Sequence, residues 1–128
     1  MRILLDSNVF LWTAFDLRQL SPKAAMALRD PGNELVVSAV TPIELAVAIA
    51  KGRLSPGVPL ARFYEEHRAD LQAVELPITA SHALATANLP YTLKDPMDRV
   101  LAAQAMVERM PILTRDRLIA GLGVEVIW

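Results

Sequence analysis

Residues 94–116 read KDPMDRVLAAQAMVERMPILTRD. Asp95 followed by Pro96 has the form of an N-cap and a first helical residue, because aspartate accepts orphan backbone N–H groups and proline has none to satisfy. The helix so opened is expected to run through Met110. Pro111 then ends it and precedes an apolar run, Ile112 to Thr114, that reads as a buried strand. A helix that feeds a short, wholly apolar strand is the repeating unit of a parallel sheet covered on both faces. The same alternation recurs outward from this stretch. Ile3 to Asp6, Leu35 to Ser38, Ala73 to Leu76 and Val124 to Ile127 are the other expected strands. Ser21 with Pro22 opens a helix that Asp30, Pro31 and Gly32 close. Thr41 with Pro42 lies in the first turn of another, which stops at Gly52. Between Pro59 and Leu71, apolar Leu60, Phe63 and Leu71 oppose Glu65, Glu66 and Arg68, as in an amphipathic helix. Thr79 opens a further helical segment closed by Pro90. The expected fold is therefore α/β, three layers in the order α/β/α, with a central parallel sheet of about five short strands.

The chain is 128 residues long, the length of a single domain, and is read as one over 1–128. Hydrophobic residues make up 53% against 21% charged, and a mean hydropathy of +0.31 excludes the low-hydrophobicity, high-charge composition of disordered chains. The absence of cysteine, with only His67 and His82 as imidazoles, excludes thiolate nucleophiles, disulfides and a Cys/His zinc site. Any metal has to be held by oxygen. No apolar run approaches the roughly 18 residues that span a bilayer, and Asp6 and Asn8 interrupt the one N-terminal segment that resembles a leader. The expectation is a cytoplasmic protein with no membrane partner. A net charge of -1 argues against holding nucleic acid by bulk basicity and leaves local charge to decide.

In an open parallel sheet, chemistry gathers beyond the carboxyl ends of the strands where strand order reverses. Four acidic residues fall at such places: Asp6 ends the first strand, Glu44 follows the second, Asp98 lies in the first turn of the long helix, and Asp116 follows the fourth strand. Four converging carboxylates repel one another unless a cation neutralises them or some hold protons. Hard divalent ions such as Mg²⁺ or Mn²⁺ suit such a donor set. Each residue also has a purely structural reading. Asp6 and Asp116 fit helix caps, Thr41 to Glu44 (TPIE) fits a capping box, and Asp98 favours the positive end of its helix dipole.

Taken in order along the chain, LLDSN, VSAVTPIEL, KDPMDRVLAAQA and ILTRD resemble the PIN-domain ribonucleases, and more narrowly the VapC-type toxins of toxin–antitoxin pairs. The resemblance implies a PIN-like domain and a Mg²⁺- or Mn²⁺-dependent endoribonuclease acting as the toxin. Asp6, Glu44, Asp98 and Asp116 are then the catalytic and metal-binding residues, with Ser7, Asn8, Asp95 and Thr114 beside them. Within DPMD the ligand role goes to Asp98 and the cap to Asp95. RNA as substrate, a homodimer and a small cognate antitoxin encoded alongside are implied partners. The alternative is a catalytically inactive PIN-like scaffold that only binds a protein. A receiver domain needs a phosphoacceptor Asp after the third strand and a Lys after the fifth, where this chain has ELPIT and VIW, and a haloacid-dehalogenase-type phosphatase needs Asp-x-Asp after the first, where it has DSN.

Setting aside the four proposed ligands leaves ten acidic residues of 14 against 13 basic ones, an excess of positive charge compatible with RNA. Lys94, Arg99, Arg115 and Arg117 adjoin the ligands in sequence and are candidates for phosphate contact. Tyr91 and Trp12 are weighed as base-stacking residues against a place in the core. Neither histidine is given a catalytic role. Val9, Phe10, Leu11, Trp12 and Phe15 are more apolar than one buried face requires, so Phe10, Trp12 and Phe15, alongside the helix from Pro22 to Arg29, are candidates for an antitoxin groove.

Overall fold

The computed structural model describes residues 1–128. Five strands, β1 (Arg2–Leu5), β2 (Glu34–Ser38), β3 (Val74–Leu76), β4 (Ile112–Leu113) and β5 (Val126–Ile127), form one sheet in the order β3-β2-β1-β4-β5. All neighbours are parallel, with Leu4 opposite Val36 on one side and Ile112 on the other. The chain steps outward from β1 to β3, then returns to lay β4 on the far edge of β1. The reversal point therefore lies between β1 and β4.

Side chains of a strand alternate between faces, and the two faces of this sheet meet different helices. Leu4, Val36 and Ile112 pack with Leu101, Ala102 and Ala105 of α6 (Pro96–Glu108) and Ile119 of α7 (Arg117–Ala120). Ile3, Leu5, Val37 and Leu113 pack with Val9 and Phe10 of α1 (Ser7–Phe15), Ala24 of α2 (Pro22–Arg29), Leu45 of α3 (Val40–Ala50) and Phe63 of α4 (Leu60–Asp70). These are the three layers expected from the alternation of apolar runs with helical segments. No helix is long and apolar enough to cross a membrane.

Most expected boundaries shift by a residue or two. The long helix ends at Glu108, because Arg109 turns into the left-handed region at φ 54. One shift has consequences for chemistry. The α3 helix begins at Val40, not behind a Thr41 cap, and its N-terminal Ala39 has no capping side chain. Ser38 serves instead: its Oγ accepts the Val40 N–H at 3.0 Å while its proton goes to Gln104 Oε1 at 2.5 Å, inside the core. The capping box expected of TPIE is thus absent, which frees both Thr41 and Glu44. A capping box does form at α5 (Ala80–Ala85), between Thr79 and His82, and His82 is buried as a structural residue.

Candidate active site

The ends of β1 and β4 place Asp6 beside Thr114 and Asp116, the first turns of α3 bring Glu44, and the start of α6 brings Asp95 and Asp98. They converge on a cleft of about 270 Å³ lined by Asp6, Asn8, Trp12, Glu44, Asp95, Asp98, Arg115 and Asp116. Only one of the eight is hydrophobic, so the cleft suits charged rather than greasy ligands.

Hydroxyls organise the carboxylates. Thr114 Oγ1 donates to Asp6 Oδ2 at 2.6 Å and accepts the Asp116 N–H at 3.0 Å. Ser7 Oγ donates to Glu44 Oε1 at 3.0 Å. With its one proton committed there, Ser7 accepts from Thr41 Oγ1, also at 3.0 Å. Asp95 accepts the N–H groups of Met97 and Asp98, and Asp116 that of Leu118, so these two do cap helices as well as line the cleft. Asp6 occupies the cap position of α1 without a side-chain cap hydrogen bond.

The electrostatics are those of an uncompensated acidic site. Burial pushes the Asp98 carboxyl up to about 7, and the charges of Asp95, Glu44, Asp6 and Asp116 add to the rise. Burial also raises Glu44, against the Ser7 hydrogen bond and with the charges of Asp6 and Asp95. It raises Asp6 too, against stabilisation by Thr114 and by the amides of Ser7 and Asn8. These shifts share one sense: each carboxylate is harder to ionise because it is buried among others.

An all-oxygen, anionic donor set fits a hard divalent cation and does not fit soft metals. No three of the acidic or imidazole groups already stand within reach of a single ion, so an ion has to draw side chains inward. The carboxylates repel one another as they approach, and a bound cation offsets that repulsion. Asp6, Glu44, Asp98 and Asp116, which line the cleft together with Asp95, could hold the ion after such a movement.

The sequence candidates divide sharply on this geometry. Asp6, Asn8, Glu44, Asp95, Asp98, Arg115 and Asp116 line the cleft, while Ser7 and Thr114 bond to its carboxylates. Arg115 donates to Gln19 and lies over the Trp12 ring, 4.4 Å from its centroid. Arg99 is a correction. Its guanidinium donates to the carbonyls of Thr86, Leu89, Pro90 and Leu93 at 2.7–3.2 Å, so it fastens the segment before α6 and is not free for phosphate. Lys94 and Arg117 are exposed but lie outside the residues that line the cleft.

Phe10 is a second correction. It is fully buried, edge-on to Phe63 and His67, and cannot line a groove. Trp12 is half-buried against Trp128, and Phe15 is 54% exposed while stacked on Phe63. The shallow groove beside Trp12 and Phe15 is completed by Leu11, Arg53, Leu54 and Ser55, not by the α2 residues expected. Sequence reasoning also passed over Lys51 and Arg53. The signal was present, since Lys51 lies seven residues after Glu44, two turns along one face of α3.

An open parallel α/β domain with a carboxylate cleft at its reversal point is the class that fold and site define. The PIN domain matches residues 3–123, so the chain belongs to the PIN domain family. Among solved structures, it is similar to VapBC2 from Rickettsia felis bound to a DNA fragment from its promoter, with 13% identity, a TM-score of 0.70, and coverage of 98% of this chain and 97% of that one. VapBC-1 from nontypeable Haemophilus influenzae gives 18% identity and 0.67 over 98% and 96%. VapBC-5 from Mycobacterium tuberculosis, of a family of toxin–antitoxin systems, gives 21% and 0.64 over 98% and 97%. At these identities the likeness is one of fold. No curated protein matches the chain by sequence.

Proposed function

We propose that this single PIN domain is a Mg²⁺- or Mn²⁺-dependent endoribonuclease that hydrolyses RNA phosphodiester bonds, and that it acts in the cytoplasm as the toxin of a toxin–antitoxin pair. The observation that carries this reading is the convergence of Asp6, Glu44, Asp98 and Asp116 on one cleft at the reversal point of the sheet, where burial and the neighbouring carboxylates push the Asp98 carboxyl up to about 7. A fold does not collect such repulsion at its ligand-binding end unless a cation or proton is to relieve it. A divalent ion bound there supplies charge neutralisation on the phosphate and a more acidic attacking water. The chain's own residues do the rest. Thr114 fixes the orientation of Asp6, and the Thr41–Ser7–Glu44 chain of hydroxyls fixes Glu44. Arg115, over the Trp12 ring, offers a guanidinium to a phosphate at the cleft wall.

The toxin role draws on the motifs shared with VapC-type toxins and on the likeness in fold to VapBC-5, a member of a family of toxin–antitoxin systems; a cognate antitoxin and a homodimer are proposed with it. The test is incubation of purified, antitoxin-free protein with total RNA in Mg²⁺, in Mn²⁺ and in EDTA, followed by mapping of cut ends. Cleavage that EDTA abolishes supports the reading. Intact RNA under all three conditions leaves the inactive binding scaffold, in which Asp95 and Asp116 serve only as the helix caps they also form.

A further inference from the structure

Lys51 and Arg53 belong to the nine of 13 basic side chains without an ion-pair partner, Arg2, Arg18, Arg62 and Arg68 being the paired ones, and they are the two basic residues that line the larger cleft beside the carboxylates. Both are exposed, yet their backbone is fixed. Gly52 between them takes φ 71, and the Arg53 N–H closes onto the Ala48 carbonyl at 2.8 Å, the bond that seals a helix end around a left-handed glycine. Two cations are thus presented from a capped terminus of α3 rather than from a loose loop.

They stand at the rim of a cleft of about 450 Å³ between α1 and α3, with an aliphatic lining that includes Leu11, Ile43, Val47 and Leu54. This cleft runs into the carboxylate site, for Asn8, Glu44 and Asp95 line both. A strand whose phosphate sits among the carboxylates has to leave them somewhere. Here the exit is an apolar floor able to take the face of a base, with unpaired positive charge where the next phosphates fall. A peptide has no repeating anion to match those two cations, whereas a nucleic acid carries one at every residue.

Resting on the nuclease reading, we propose that this cleft is a nucleotide subsite. It takes the base adjoining the scissile phosphate on the Leu11, Ile43, Val47 and Leu54 floor, and the flanking phosphates on Lys51 and Arg53. The probe is a fluorescein-labelled single-stranded RNA of about twelve nucleotides, followed by anisotropy in Ca²⁺ across about 50 to 200 mM salt. Each phosphate contact on a single strand adds about 0.7 to the slope of log affinity against log salt. A Lys51→Gln/Arg53→Gln double variant is therefore expected to lose about 1.4 from that slope, while Lys23→Gln/Arg29→Gln on α2 leaves it unchanged. Val47→Ser is expected to weaken binding with the slope intact.

An unchanged slope in the Lys51/Arg53 variant overturns the subsite and gives the cleft to a protein surface. Failure of the wild type to bind RNA overturns it as well. Mn²⁺-dependent cleavage of single-stranded DNA by the same preparation then shows whether the nuclease reading survives that failure.

Discussion

Thr114 donates its hydroxyl proton to the Asp6 carboxylate at 2.6 Å, tying the ends of β4 and β1 together across 108 residues of sequence. Asp6 is only 8% exposed, so this bond replaces water for a buried anion. Thr114→Val keeps the shape and removes both the donor to Asp6 and the acceptor of the Asp116 N–H. A hydrogen bond to a charged group contributes about 1.5–3 kcal/mol, and stability at pH 7 is expected to fall by an amount of that order. The loss should shrink as pH falls below the folded pKa of Asp6, where the carboxyl is protonated and the donor matters less. Urea titrations of both proteins at neutral and acid pH measure the difference, and a loss wholly independent of pH assigns it to the Asp116 N–H and packing rather than to the Asp6 bond.

Asp98 gives stability of the ion-free protein a definite pH dependence. Its carboxyl is raised from 3.8 to about 7, so between those values the folded state holds a proton that the unfolded chain has released. Stability therefore falls as pH rises through that window and stays reduced above it. Glu44 and Asp6, also raised, act in the same sense. In EDTA the melting temperature is expected to drop between about pH 4 and 7 and to level off above, and Asp98→Asn to flatten that drop and melt higher at the upper end. Mn²⁺ at pH 8 should stabilise the wild type more than the variant by mass action. The same substitution should lower RNA cleavage by orders of magnitude in a folded protein. Equal response to Mn²⁺ in both proteins would reduce the carboxylates to caps.

Arg99 yields a prediction opposite to the one its sequence position suggests. Because its guanidinium bonds four carbonyls of the 86–93 segment, Arg99→Lys keeps the charge but cannot reproduce the fork. Leaving partly buried carbonyls without donors costs about 1–3 kcal/mol, read as a lower urea midpoint. A phosphate-binding arginine would instead tolerate lysine in stability and change the salt dependence of RNA binding.

The layers and the carboxylate positions were legible because their signals are local. Apolar runs alternate with Asp-Pro and Ser-Pro helix starts, and each acidic residue sits one step beyond a strand or inside a first turn. What escaped depends on distant partners. Nothing near Thr41 says that Ser38 will take the Val40 N–H with help from Gln104, 66 residues away, so TPIE fits a capping box as well as it fits a catalytic turn. Arg99 follows Asp98 in sequence but points at a return loop whose carbonyls carry no side-chain signature. Phe10 and Trp12 are two positions apart on α1, and a helix with apolar residues all round does not announce that the first faces the sheet and the second faces Trp128.

Phe15 is the sharper probe of a partner on this helix. Trp12 packs on Trp128 and carries Arg115 on its face, so Trp12→Ala disturbs the C-terminus and the cleft wall together and is expected to lower stability and cleavage alike. Phe15 is 54% exposed, and its inner face stacks on Phe63 at 5.3 Å. It lines the groove with Arg53 and Leu54 and lies outside the carboxylate cleft. Phe15→Ser removes exposed apolar surface at the end of α1 and leaves every hydrogen bond to the carboxylates in place. If an antitoxin segment buries this ring, affinity for the antitoxin encoded alongside should fall at least tenfold, about 1.4 kcal/mol, which burial of part of an aromatic side chain readily supplies. RNA cleavage by the free variant should stay within about twofold of wild type, since no cleft-lining group changes. Isothermal titration with the antitoxin and initial cleavage rates separate the two effects. Undiminished affinity places the antitoxin elsewhere, whereas cleavage lost in parallel with affinity makes Phe15 part of the scaffold that holds α1 against α4.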